Sequence, residues 1–123
     1  MNPAFHKLNN PVWHSLAETH QKFSVDYQDV KFYHPDNCAF GSFENSTDTA
    51  KYLVEYSSMA NDFYMVGAKP ELNDKLQLKK ELVCLQMVIE NKIDLVIKEN
   101  ITLLTSKHSE ALFELINLVQ PGY

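Results

Sequence analysis

The eight residues LVCLQMVI, at positions 82–89, decide how this chain is read. In an extended backbone Val83, Leu85, Met87 and Ile89 point one way, and Leu82, Cys84 and Val88 the other. Apolar residues on both faces predict a covered, interior strand. Working outward, IDLVI (93–97) and ITLL (101–104) are further strand candidates, separated by the polar break KEN. Upstream, AKPELNDK (68–75) reads as a loop, and DFYMV (62–66) as a short strand ending at Gly67.

Helical periodicity flanks this extended region. Asn10 and Pro11 suit an N-cap and a first helical position, and Trp13, Leu16 and Phe23 recur near helical spacing, so a helix is expected over 11–22. A second helix is expected over STDTAKYLVEYSSMA (46–60), capped by Ser46, with Ala50, Leu53, Val54 and Ser57 on one face. A third follows Thr105 or Ser106, its face made by Leu112, Leu115, Ile116 and Val119 and its end set by Pro121 and Gly122. Between the first two helices, residues 24–45 are aromatic and broken by Pro35 and Gly41. They read as extended or looped chain with a short strand near 39–43. The expected fold is therefore α+β, a mixed sheet with about three helices packed on it. A soft boundary at 90–100 divides the chain into an extension, 1–99, and a terminal strand–helix piece, 100–123.

Composition narrows the partners. The 123 residues suffice for one core. Net charge is −5, and all eleven basic residues are lysines spread along the chain. Nucleic acid calls for a basic face and usually for arginine, so it is not an expected partner. No apolar run reaches membrane-spanning length, and the N-terminus has no signal-peptide core, so neither a membrane nor secretion is expected. Cys38 and Cys84 form no CxxC, which fits a reduced, cytoplasmic compartment. The sequons at Asn45 and Asn100 read as chance matches.

Three short motifs, in order, carry a resemblance: NPVWHSL (10–16), LQMV (85–88) and QPGY (120–123). With the strand ITLLT and helix SEALFELINLV, they resemble a subgroup of the GNAT superfamily of N-acetyltransferases. In that subgroup an N-terminal extension precedes the core, and 100–123 looks like the core's first strand and helix. The resemblance implies an acetyl-CoA-dependent parent acting on a small-molecule or peptide amine. This chain departs from the family's signature, a glycine-rich loop of the form Q/R-x-x-G-x-G/A between a strand and a helix. Its three glycines, Gly41, Gly67 and Gly122, are far apart, and it has no arginine. It is expected to hold no cofactor and to be inactive alone, as the acceptor-side scaffold of an acetyltransferase cut before the acetyl-CoA loop. A homodimer through the C-terminal strand–helix unit would cover the apolar face left open. The other reading is a stand-alone, non-catalytic α+β domain that binds a protein or small ligand.

No residue is assigned a catalytic, cofactor or metal role. Trp13 and His14 are open to two roles, contact with an acceptor or anchoring of a helix, and the indole's bulk favours the anchor. His14 and His20, six apart, lie about 120° from each other around a helix and cannot act as a helical pair. His34, Asp36 and Cys38 offer at most three mixed ligands in one loop. Cys84 is expected in an apolar core, and His108 on a helix surface. A general-acid tyrosine, frequent in GNAT enzymes, would belong to the later core.

Overall fold

The computed structural model describes residues 3–121, so Gly122 and Tyr123 of the QPGY match lie outside the described residues. The fold is α+β with a four-stranded mixed sheet. The chain divides into two units, one running to Met87 and the other from Val88 onward.

The first unit holds the whole sheet. Strands β1 (Ser24–Asp26), β2 (Val30–Tyr33) and β3 (Phe40–Phe43) form an antiparallel meander. Helix α2 (Thr49–Ser57) follows, and β4 (Tyr64–Met65) then joins β3 in parallel. Helix α1 (Pro11–Ala17) precedes the sheet, after a 3-10 segment over Pro3–Asn9.

Period-two alternation in VKFY divides the sheet's faces. Val30 and Phe32 are fully buried with Leu53 and Tyr56 of α2. Lys31 and Tyr33 point to the other face, where α1 lies: Lys31 reaches the Trp13 ring and Tyr33 reaches Ser15. Thr49, Leu53 and Tyr56, at i, i+4 and i+7, are the buried stripe of α2. Tyr56 stacks on Phe32 with centroids 4.0 Å apart, and Phe63 meets both rings edge-on. Gly41, opposite Phe32 in register, leaves room for that ring. A Cβ at Gly41 would lie 2.3 Å from Phe32 Cδ1.

The strand expected over 39–43 is present, and the one expected over 62–66 is reduced to Tyr64–Met65. The meander β1–β2, read from sequence as extended or looped chain, is real sheet. The expected interior strand 82–89 is not formed: these residues carry no strand pairing and are exposed. Val83 is 92% exposed, Leu85 89% and Met87 90%. The pattern records a tendency to extend and be covered, but the first unit closes its core with β1–β4 and α1–α2 and offers no second layer here. Cys84, expected in a core, is exposed for the same reason. The candidates 93–97 and 101–104 also form no strand.

The helix expected over 11–22 ends at Ala17, where the His20 N–H turns back to the Ser15 carbonyl, and a 3-10 turn covers Gln21–Phe23. The helix expected over 46–60 spans Thr49–Ser57 and starts after Asp48, not Ser46.

The second unit is simpler. A 3-10 turn over Ser106–His108 leads into α3 (Ser109–Val119). Thr105 and His108 form a reciprocal capping box, with the Thr105 N–H donating to His108 Nδ1 at 3.0 Å. Leu104, His108, Ala111, Leu112 and Leu115 line an apolar groove of about 190 Å³.

Candidate functional site

The motif NPVWHSL becomes α1 and its entry, and Asn10 and Ser15 tie it to the sheet. Asn10, expected as a helix cap, makes no capping bond. Its side chain reaches β3 instead: Nδ2 donates to the Phe43 carbonyl at 3.0 Å, and Oδ1 accepts from Ser42 Oγ at 2.6 Å. Ser42 is 1% exposed and also lies 2.9 Å from the Val66 carbonyl. Gly67 sits against this network with φ +115, and a Cβ there would meet Asn10 Oδ1 at 3.0 Å.

Trp13 is partly buried. The Lys31 ammonium lies 5.1 Å from its ring centroid and 2.8 Å from Asp26 Oδ2. A desolvated lysine, its side chain only 12% exposed, is thus held between an indole face and a carboxylate. Partial burial pushes the Asp26 carboxyl up, but the Lys31 and Gln28 hydrogen bonds outweigh it and hold the group below its ordinary value. His14 meets His6 edge-on, with centroids 5.8 Å apart. Glu18 is kept below the usual carboxylate value by Lys7, bonded at 2.7 and 2.9 Å, with smaller contributions from His14 and His6.

One constellation escaped the sequence reading. Ser15 Oγ, His20 Nδ1 and Tyr33 Oη form a closed triangle with sides of 3.0, 2.9 and 2.7 Å. A hydroxyl beside an imidazole is the raw material of a nucleophile–base pair. The orienting third group is missing: among the described residues the one histidine–carboxylate ion pair is His34–Asp36, at 3.5 Å. The triangle instead ties the turn after α1 to β2. Only the spacing Ser15-x4-His20 was visible beforehand, and nothing in it names Tyr33.

The β3–α2 junction is the second place of interest. Phe43, Ser46, Thr47, Thr49, Ala50, Lys69, Glu71 and Leu72 line a cleft of about 540 Å³. Thr49 is 6% exposed, and its hydroxyl has no hydrogen-bond partner. This is a strand-to-helix turn, the kind of place where a phosphate-holding loop sits. Yet the turn, 44–48, reads ENSTD: it has no glycine, it carries Glu44 and Asp48, and Glu71 faces the same cleft. Among the lining residues Lys69 is the one cation and Glu71 the one carboxylate, and Lys69 is already paired with Glu81 at 3.0 Å, so the cleft offers a pyrophosphate neither an uncompensated cation nor a glycine-permitted cradle and does not fit acetyl-CoA.

In the 34–38 loop, His34 Nδ1 accepts from the Asp36 N–H at 3.3 Å. Cys38 is half-buried, and burial pushes its thiol up. No group of three or more His, Cys, Asp or Glu able to hold a metal occurs among the described residues. No helix among them is long and apolar enough to cross a membrane. No family model matches the chain, and no curated protein or solved structure matches it either.

Proposed function

We propose that this chain is the N-terminal, acceptor-side scaffold of an acetyl-CoA-dependent N-acetyltransferase of the GNAT kind, and that it does not hold the cofactor itself. One observation carries the reading. From Val83 to Leu104 the chain presents apolar residues at strand-like spacing with no partner strand, and α3 exposes Phe113, Leu115, Leu118 and Val119. Surfaces of this size are interaction or core surfaces, and they call for further sheet to cover them. The motifs NPVWHSL and LQMV add the family. The acidic, glycine-free turn before α2 supports the absence of a cofactor site.

In this reading α1 and the sheet form part of the wall against which an amine acceptor is placed. The residues on that wall are tied up structurally, so no proton transfer is assigned to them. A homodimer through the C-terminal strand–helix unit is part of the proposal, supported by the exposed face of α3. A cytoplasmic location is also part of it, supported by two free cysteines.

A second reading, a stand-alone interaction domain, draws on a different observation. The first unit has helices on both sheet faces and a core closed around Phe32 and Tyr56. Calorimetric titration with acetyl-CoA tests the main reading. No binding is expected from this chain, and binding is expected once any coding sequence that follows it is included. An extended chain that still ignores acetyl-CoA would favour the interaction domain.

A further inference from the structure

The cleft at the β3–α2 junction holds a polar group that the fold leaves unused. Thr49 lines the cleft and is 6% exposed, and its hydroxyl has no hydrogen-bond partner. A buried hydroxyl without a partner is a cost to folding. Further along, Ser57 returns its hydroxyl to the Val54 carbonyl and Ser58 to the Glu55 carbonyl. Thr49 is the first residue of α2 and has no earlier helical turn to return to. The cleft is the side from which a partner can come.

The charge of the cleft says what kind of partner. Lys69, its one cation, is taken by Glu81 at 3.0 Å. Glu71 enters no ion pair among the described residues. Asp48, at the N-cap, and Glu44 add negative charge and offset the positive end of α2. Phe43 and Leu72 supply apolar surface. The loop that carries Lys69, Glu71 and Leu72 is fastened further on, where Leu76 packs against the core and Lys79 binds Asp62 at 2.6 Å. The cleft therefore has a held wall, and its volume of about 540 Å³ is that of a small-molecule site.

We propose that this cleft binds a small primary amine that also carries a hydroxyl and an apolar group. The ammonium pairs with the Glu71 carboxylate, the ligand's hydroxyl meets the Thr49 hydroxyl, and the carbon skeleton lies on Phe43 and Leu72. Such a ligand is an acetyl acceptor only on the acetyltransferase reading, and its binding does not depend on that reading.

The test is titration of the full chain with leucinol, which joins an ammonium, a hydroxyl and an isobutyl group, followed by amide chemical shifts in NMR. Saturable shifts centred on Thr49, Ala50, Glu71 and Leu72 are expected. Leucine, with a carboxylate in place of the hydroxymethyl group, should bind more weakly because the cleft offers an anion no free cation. Isohexanol, which lacks the amine, should also bind more weakly. Glu71→Gln should raise the leucinol dissociation constant roughly tenfold. Thr49→Val should raise it roughly threefold while leaving the melting temperature unchanged or higher, because the hydroxyl it removes has no partner in the fold. No saturable shifts with leucinol overturn the proposal. So does leucine or isohexanol binding as tightly as leucinol, or a Thr49→Val chain that melts lower with its leucinol affinity intact. The acetyl-CoA titration reads a different ligand, so failure of one reading leaves the other standing.

Discussion

Ser42 Oγ donates to Asn10 Oδ1 at 2.6 Å, and through that bond the entry to α1 is fastened to the buried middle of β3. Asn10 Nδ2 closes the clamp on the Phe43 carbonyl. Loss of Ser42 leaves Asn10 Oδ1 without its partner, and loss of Asn10 leaves the buried Ser42 hydroxyl with the Val66 carbonyl alone. Asn10→Ala and Ser42→Ala should each cost about 1–3 kcal/mol. The double variant should cost less than the sum, because the two share one bond. Urea denaturation of the four proteins checks this, and strict additivity would show that the residues act separately.

Gly41→Ala should be among the most damaging small substitutions in the chain. The added methyl would fall 2.3 Å from Phe32 Cδ1, and Phe32 is fully buried against Tyr56 and cannot withdraw. Overpacking of this kind costs about 1–3 kcal/mol or more. A thermal melt that barely moves would mean that the ring has space to shift.

The alkaline limit of stability should follow Tyr56. Burial, then the proximity of Cys38 and Tyr27, pushes its phenol up to about 12. The ordinary value in an unfolded chain is about 10. A folded-state value raised above the unfolded one contributes stability that is whole below about pH 10 and is lost as the pH rises toward about 12. Tyr56→Phe should reduce this alkaline loss. At neutral pH it should also cost about 1–3 kcal/mol, since the phenol donates to the Tyr33 carbonyl at 2.7 Å. Chemical denaturation at pH 8, 10 and 11 separates the two effects.

Trp13→Ala should destabilise by about 1–3 kcal/mol, less than the loss of a fully enclosed ring. The indole is partly buried, and its specific partner is the Lys31 ammonium. An unchanged melt would leave contact with another molecule as the reason for the residue.

Helices and short-range pattern were legible in the sequence. Pro11 marked the start of α1, the Leu53 periodicity marked α2, and Thr105 marked the turn into α3. The strand at 40–43 was also found. The β1–β2 hairpin was not, because VKFY mixes a lysine and two aromatics and alternates only once its two helices are in place. Gln28, at φ 70, makes the turn without the glycine or asparagine that would have signalled it. Segment 82–89 misled in the opposite way: its pattern states that it needs cover, and pattern alone does not say from where. Asn10 showed that a residue with a capping chemistry will leave its helix for a buried partner with a better claim. The Ser15–His20–Tyr33 triangle required the fold itself, since residues 15 and 33 meet only across α1 and the sheet.

The central claim is that this chain is a scaffold without a cofactor site. Its most direct measurement is calorimetric titration of acetyl-CoA into the purified chain and into the same chain extended by any coding sequence that follows it. The account predicts no heat of binding for the first and saturable binding for the second. Micromolar binding by the chain alone would contradict it.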